Sequence, residues 1–206
     1  MGAFDVTVIT GTFGAASWGE LAHRRAAPSV PDGTPWVHRH GVTLAQARNE
    51  ALAEVETEFV IHLDADDQLA SPGYIEAMSE GTADLRAPRR RQVQGDHATE
   101  PSMPRVRGHD HDCTGDCLKD GNFICIGAAV RTELLRTVGG WWEEPIYEDW
   151  SAFLRCYLAG GTVEAIPDAI YRVHGGPRGG RHRSLSPNER AECHHRILDA
   201  AGLGPL

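Results

Sequence analysis

The chain has 206 residues, 41% of them hydrophobic and 24% charged, with 20 lysines and arginines against 29 aspartates and glutamates for a formal net charge of −9. That apolar share supplies the core of one ordinary domain and excludes a wholly disordered chain. The acidic balance argues against a general nucleic-acid coat. Arginines nevertheless gather at Arg86, Arg89, Arg90, Arg91, Arg105 and Arg107, and again at Arg172, Arg178, Arg181 and Arg183, where an anionic ligand would be met locally.

No apolar run approaches the roughly 20 residues of a membrane span. The N-terminus lacks the basic flank and apolar stretch of a secretory signal. A cytoplasmic chain is expected. Five cysteines, Cys113, Cys117, Cys125, Cys156 and Cys193, are odd in number and mostly scattered, which fits free thiols in a reducing compartment.

Residues 5–10 are rich in β-branched side chains and predict a buried first strand running into a turn at Gly11-Thr12-Phe13-Gly14. A short helix follows within 15–25, then a break at 28–35 and a brief strand at 36–39. The clearest helix is 43–55, where Leu44, Ala47, Ala51 and Leu52 share a face. Residues 58–63 predict a second central strand ending at Asp64-Ala65-Asp66-Asp67, and Ser71-Pro72-Gly73 opens a helix to about residue 80. Strands alternating with helices favour an α/β domain with a mostly parallel central sheet flanked by helices, Rossmann-like, with binding residues at the carboxyl ends of its strands.

Residues 86–120 lose all periodicity and read as a long loop. An apolar strand is expected at 123–130, a helix at 132–138, a Gly139-Gly140 break, and an amphipathic helix at 148–159. Strands at 162–166 and 169–173, a Gly- and Arg-rich connection at 175–183 and a last helix at 187–201 complete the chain.

Three carboxylates in four positions at a strand end are the most informative feature. Crowded like charges raise one another's pKa unless a cation compensates, and oxygen ligands suit Mg²⁺ or Mn²⁺. An acidic turn capping the next helix is the plainer alternative. The same holds for Glu148-Asp149, which a helix dipole alone would accommodate.

Taken together, the segments resemble family 2 glycosyltransferases with the GT-A fold. The resemblance rests on Leu44-Ala45-Gln46-Ala47-Arg48-Asn49-Glu50-Ala51, then Phe59-Val60-Ile61-His62-Leu63-Asp64-Ala65-Asp66-Asp67. In the later half it rests on Val138-Gly139-Gly140-Trp141, Glu148-Asp149-Trp150 and Tyr171-Arg172-Val173-His174. It covers about residues 5–175. It implies one GT-A domain, with a nucleotide-sugar half to about residue 85, a variable loop at 86–120, an acceptor half at 121–175 and a tail with a helix at 176–206.

The resemblance also implies roles. Asp64 and Asp66 match an Asp-x-Asp motif that holds the metal and approaches the ribose, with Asp67 a further ligand candidate. Arg48 matches an arginine near the nucleotide or its diphosphate. Asp149 matches the catalytic base of inverting members, with Glu148 supporting it. Thr10, Gly11, Thr12 and Phe13 fall where the base or ribose is cradled.

His174 either completes the metal shell or touches the diphosphate, or is a partly buried histidine met by backbone. Arg172, with Arg178, Arg181 and Arg183, either closes over the phosphates or belongs to an ordinary surface tail. Two departures bear on the base. The family's Pro-Thr-aromatic-Asn turn is Gly11-Thr12-Phe13-Gly14 here, and its Asp-rich end of the second strand is His38-Arg39-His40. UDP as the donor nucleotide therefore follows from family habit.

Trp141 and Trp142 either stack on a ring of a substrate or plug the core. His109, His111, Cys113 and Cys117 have ligand types suited to zinc, without a complete finger pattern. The acceptor hydroxyl belongs to a saccharide, a protein, a small molecule or a modified DNA base. Two other functions remain open: a nucleotide-sugar-binding module without turnover, and a nucleic-acid-binding protein using the Arg-rich loop. The first leaves Asp66 and Asp149 unused, the second leaves residues 64–67 unexplained.

Overall fold

The computed structural model describes residues 5–106, 112–175 and 185–204. Eight strands occur among them: β1 (Val6–Phe13), β2 (Trp36–Gly41), β3 (Phe59–His62), β4 (Gln68–Leu69), β5 (Leu85–Gln94), β6 (His97–Ala98), β7 (Ala129–Arg131) and β8 (Val163–His174). Their order across the sheet is β2-β1-β3-β7-β5-β8-β4, with β6 joined to β5. The long ladders, β1 with β2 and β3 and β5 with β8, are parallel, while the short pairings of β7, β4 and β6 are antiparallel. The sheet is thus mixed and mostly parallel, as the sequence predicts.

Helices α1 (Ser17–Leu21), α2 (Leu44–Ala53), α3 (Tyr74–Glu80), α4 (Thr132–Thr137), α5 (Glu148–Leu158) and α6 (Pro187–Ala200) surround it. On one face Ile9, Val60, Leu85 and Ala87 meet Ala51 and Leu52 of α2 and Trp150, Phe153 and Leu154 of α5. On the other, Val6, Val8, Phe59 and Ile61 meet Tyr74, Ile75 and Met78 of α3. Each fully buried Ile or Leu contributes roughly 1.5–3 kcal/mol, so the two layers pin the strand ends that carry the polar residues discussed below. No helix among the described residues is long and apolar enough to cross a membrane.

Four expectations are corrected. First, β1 does not turn at Gly11 but runs on to Phe13, with Gly11 opposite Arg39 of β2. Second, residues 86–94 of the expected loop belong to the long strand β5. Arg86 is buried there because its guanidinium lies 3.8 Å from the Phe59 ring centroid and its Nε donates to the Ala83 carbonyl at 2.9 Å, so an arginine fills a core position.

Third, the apolar run 123–130 becomes a strand only at Ala129–Arg131. Phe123, Ile124, Cys125 and Ile126 are buried without joining a ladder. Fourth, the two expected late strands are one, β8. Its register against β5 jumps from Pro88↔Ile166 to Arg89↔Ile170, so residues 167–169 bulge where Pro167 has no N–H to give.

Candidate functional site

The site grows from the close approach of α2 to β1 and β2. Thr43 caps α2 by accepting from the Gln46 N–H at 3.1 Å. A Cβ on Gly11 would lie 2.8 Å from Arg48 Cγ, and one on Gly41 would lie 2.9 Å from the Ala47 nitrogen. These glycines let the helix sit on the strands and drive Arg48 into the interior, 1% exposed.

Once buried, the guanidinium is shared three ways. Nε donates to His62 Nε2 at 2.9 Å, Nη1 to Glu148 Oε1 at 2.8 Å, and Nη2 to Asp64 Oδ1 at 3.0 Å. Burial works against its charge, but Glu148, Asp64 and Asp149 overcome that effect and raise its pKa above the ordinary value. The donation into His62 Nε2 places the His62 proton on Nδ1. Arg48 thereby joins β3, the acidic turn and α5.

The acidic turn follows β3 directly. The Asp64 N–H donates to Tyr171 Oη at 3.1 Å, and Asp67 Oδ1 accepts from the His174 N–H at 2.8 Å, so β8 clamps the turn. Arg25 Nη1 donates to the Asp66 carbonyl at 3.0 Å. One carboxylate oxygen from each of Asp64, Asp66 and Asp67 falls within 4.8 Å of the others. Burial, then the charge of Asp64, pushes Asp66 up to about 6. Burial, then Asp64 and Asp66, carries Asp67 well above the carboxylate range. Three hard oxygen donors, two of which (Asp66 and Asp67) resist ionising, fit a divalent cation such as Mn²⁺ or Mg²⁺.

Across from it, α5 begins at Tyr147, whose φ of 67° is the one positive value for a non-glycine residue among those described. Such a backbone costs of order 1–3 kcal/mol and persists only where its surroundings impose it. It delivers Glu148 and Asp149 in the first turn of α5. Glu148 goes to Arg48, and Asp149 Oδ2 accepts from Asn122 Nδ2 at 3.0 Å. Burial, then the neighbouring Glu148, pushes Asp149 up to about 6. A half-buried carboxylate of that basicity is suited to accepting a proton near neutral pH.

The remaining candidates are placed as follows. Thr10 is fully buried and its hydroxyl accepts from Trp36 Nε1 at 3.0 Å. Thr12 Oγ1 lies 2.8 Å from His38 Nε2 and 3.0 Å from His40 Nδ1. Phe13 is 36% exposed and lines a cleft of about 260 Å³ with Val42, Thr43, Trp142, Glu143 and Glu148. Arg172 Nη1 donates to Gln68 Oε1 at 3.2 Å, and His174 Nε2 lies 2.9 Å from the same oxygen. His174 thus meets the acidic turn through its backbone, while its ring is held by Gln68.

Trp141 is buried, 5.5 Å from the His62 ring, whereas Trp142 is 38% exposed under the Arg155 guanidinium. All five cysteines are free thiols. Of the zinc set, His109 and His111 lie outside the described residues, as do Arg178, Arg181 and Arg183. The acidic trio is the one metal-type cluster among the described residues. Sequence reasoning missed Asn122 and Arg25 and gave Tyr171 no role; a single polar side chain in an aperiodic or surface segment carries no signal of its partner.

No family model matches the chain, and no curated protein matches it in sequence. Solved structures do match in fold. S. aureus TarS 1-349 in complex with UDP-GlcNAc superposes with a TM-score of 0.66 at 17% identity, over 94% of this chain and 65% of that one. The same protein with UDP gives 0.60 at 17% identity, over 95% and 64%. The mannosyltransferase PcManGT from Pyrobaculum calidifontis, in complex with GDP-Man and Mn²⁺, gives 0.58 at 17% identity, over 98% and 65%. The chain has the GT-A glycosyltransferase fold, and it spans just under two thirds of the length of these neighbours.

Proposed function

We propose that the chain is a metal-dependent, inverting glycosyltransferase of family 2, moving a sugar from a nucleotide diphosphate sugar, a UDP-sugar by the family resemblance, to an acceptor hydroxyl. The observation that carries the reading is the division of carboxylates around Arg48. One side of that guanidinium holds Asp64 of the acidic trio, and the other holds Glu148, whose neighbour Asp149 is a half-buried acid pushed up to about 6. Glycosyl transfer needs those two functions side by side. The neighbours crystallised with UDP-GlcNAc or with GDP-Man and Mn²⁺ add support.

In this reading Asp64, Asp66 and Asp67 hold Mn²⁺ or Mg²⁺, with His174 able to join them if its ring leaves Gln68. A bound ion supplies Lewis-acid neutralisation of the departing diphosphate. Phe13, Gly11 and Thr12 border the base and ribose, and Arg172 faces the phosphates. Asp149 takes the proton of the acceptor hydroxyl as that oxygen bonds to the anomeric carbon. The carbon–oxygen bond to the diphosphate breaks with its electron pair leaving on the nucleotide, and in-line attack inverts the centre. Glu148 and Arg48 fix the start of α5 and so the position of Asp149.

The test is donor hydrolysis on UDP-GlcNAc and GDP-mannose, with and without Mn²⁺, for wild type, Asp66→Ala and Asp149→Asn. Hydrolysis that requires Mn²⁺ and is lost in Asp66→Ala supports the reading. Binding of a donor without any turnover assigns instead a nucleotide-sugar-binding module.

A further inference from the structure

Helix α6 carries its own starting signal. Ser186 Oγ accepts from the Glu189 N–H at 3.3 Å and Glu189 Oε2 accepts from the Ser186 N–H at 2.7 Å, with Pro187 in the first turn. The helix buries Cys193, Ile197 and Leu198, of which the last two join the core cluster that holds Trp150 and Phe153. It thereby reaches the turn that leads into α5. Arg196 pairs with Glu144, whose side chain is 6% exposed, and the His194 ring lies over Trp150 with centroids 4.6 Å apart and planes 27° from parallel.

Trp150 is a junction between elements. It follows Asp149 directly, its Nε1 donates to the Leu118 carbonyl at 2.7 Å, and the Tyr147 ring meets it edge-on at 6.0 Å. Leu118 lies in the short 3-10 turn Gly115–Lys119, just ahead of Asn122, which donates to Asp149 Oδ2. Burial raises the Tyr147 phenol, and the next influences on it come from Arg190 and Cys193 of α6, with Arg190 opposing the rise. A left-handed backbone such as that of Tyr147 persists only where its surroundings impose it, and α6 supplies one side of them.

Taking the glycosyltransferase reading as its basis, we propose that His194 is a positioning residue of the site, whose ring braces Trp150 and so holds Tyr147, Glu148 and Asp149 in place for proton transfer. The near-parallel geometry is that of ring stacking. Such a contact needs a flat ring and no charge. His194 acts through Trp150 and takes no part in bond making. The charges that act most on Asp149 are those of Glu148, Arg48 and Asp64, none of them on α6, so a change at His194 reaches Asp149 through its position.

The first measurement is amide hydrogen exchange, which needs no substrate. The Ser151 N–H donates to the Tyr147 carbonyl at 2.9 Å and closes the first turn of α5. In His194→Ala it is expected to exchange about tenfold faster than in wild type, because local opening rises where a packed face is lost. The second measurement is hydrolysis, across pH and with Mn²⁺, of whichever of UDP-GlcNAc and GDP-mannose the wild type hydrolyses. His194→Ala is expected to lose about 10–100-fold in kcat with KM within about twofold, the effect of a displaced base. Its acid limb moves below about pH 6, because Asp149 loses some of the burial that pushes it up to about 6. His194→Phe stays within about threefold of wild type in both measurements, since it restores the ring. His195→Ala, at the exposed neighbour, changes neither.

Where His194→Ala does not fold, His194→Gln, which keeps the reach of the side chain without its ring, is read in the same way. Unchanged Ser151 exchange, a rate lost equally at every pH with the midpoint fixed, or a His194→Phe protein as slow as His194→Ala overturns the proposal. A wild type that hydrolyses neither donor defeats the glycosyltransferase reading itself, and the positioning role falls with it. Faster Ser151 exchange with hydrolysis intact defeats this proposal alone, since α6 then braces the turn without serving the reaction.

Discussion

Arg48 and Glu148 stand 100 residues apart in the chain and meet at 2.8 Å in the interior, 1% and 6% exposed. A buried ion pair is weak evidence for stability by itself, but removing one partner strands the other in a medium that cannot solvate it. Arg48→Met is therefore expected to cost about 3–5 kcal/mol, read by urea denaturation. Arg48→Met/Glu148→Gln recovers part of that loss. Arg48→Lys falls between them, because a point-like ammonium cannot serve His62, Glu148 and Asp64 at once.

Asp149 is held at about 6 by burial and by Glu148, which gives a pH dependence with two opposite signs. Proton removal from an acceptor needs the carboxylate, so transfer falls about tenfold per pH unit below about pH 6. Stability runs the other way. A carboxyl whose folded pKa lies above its unfolded value binds its proton more tightly when folded, and the stability this gives is lost as pH rises from about 4 to about 6. Asp149→Asn is thus expected to abolish transfer and to melt higher than wild type at about pH 8. The difference vanishes near pH 4. Thermal melts across pH check this, and an unchanged difference at both ends contradicts it.

Mn²⁺ at a hundredfold excess over its Kd is expected to stabilise the protein by about 2.7 kcal/mol. For a chain of this length that is a Tm rise of roughly 5–10 °C. The rise disappears in Asp66→Ala and with EDTA, as scanning calorimetry would register.

The legible parts of the sequence were those where one local pattern decides. The β-branched run Val6-Thr7-Val8-Ile9 and the helical stripe of Leu44, Ala47, Ala51 and Leu52 specify their elements without help from elsewhere. Crowded carboxylates at residues 64–67 and 148–149 stand out for a comparable reason, since like charges are placed together only under compulsion. Strand β5 was illegible because its pairing partner, β8, lies some 80 residues on, and because Arg86, Arg89 and Arg91 read as solvated. The aliphatic stem of an arginine tolerates burial that its charge alone would oppose, as at Arg86. Gly11 misled in the opposite sense. A glycine inside a strand marks close backbone approach as well as a turn, and here the approach is that of Arg48. Asn122 and Tyr171 gain meaning only from residues 27 and 107 positions away.

The same close approach gives a stability prediction. In Gly11→Ala the new Cβ meets Arg48 Cγ at 2.8 Å and the Arg48 backbone nitrogen at 3.1 Å. The side chain can yield, but the nitrogen moves only with α2. The expected cost is about 1–3 kcal/mol, accompanied by weaker Mn²⁺ binding as Arg48 pulls away from Asp64. Gly19→Ala in α1 is the control. Its Cβ meets only His38 at 3.4 Å, and a helical glycine replaced by alanine gains about 0.5–1 kcal/mol. Denaturant midpoints for the two variants are expected to move in opposite directions.

Asn122 gives the last prediction. Its amide donates to Asp149 Oδ2 at 3.0 Å, and its own oxygen accepts from the Ile124 N–H at 3.0 Å, which fixes the side chain in place. A hydrogen bond to a charged group favours the ionised form and is worth about 1.5–3 kcal/mol. Since 1.36 kcal/mol corresponds to one pKa unit, Asn122→Leu is expected to move the acid limb of the pH–rate profile upward by about one to two units. Asn122→Asp moves it further, because a second carboxylate then faces Asp149. The plateau rate at high pH changes far less than the midpoint, which separates a residue that tunes the base from one that merely holds the fold. A uniform drop in rate at every pH, with the midpoint fixed, contradicts the assignment.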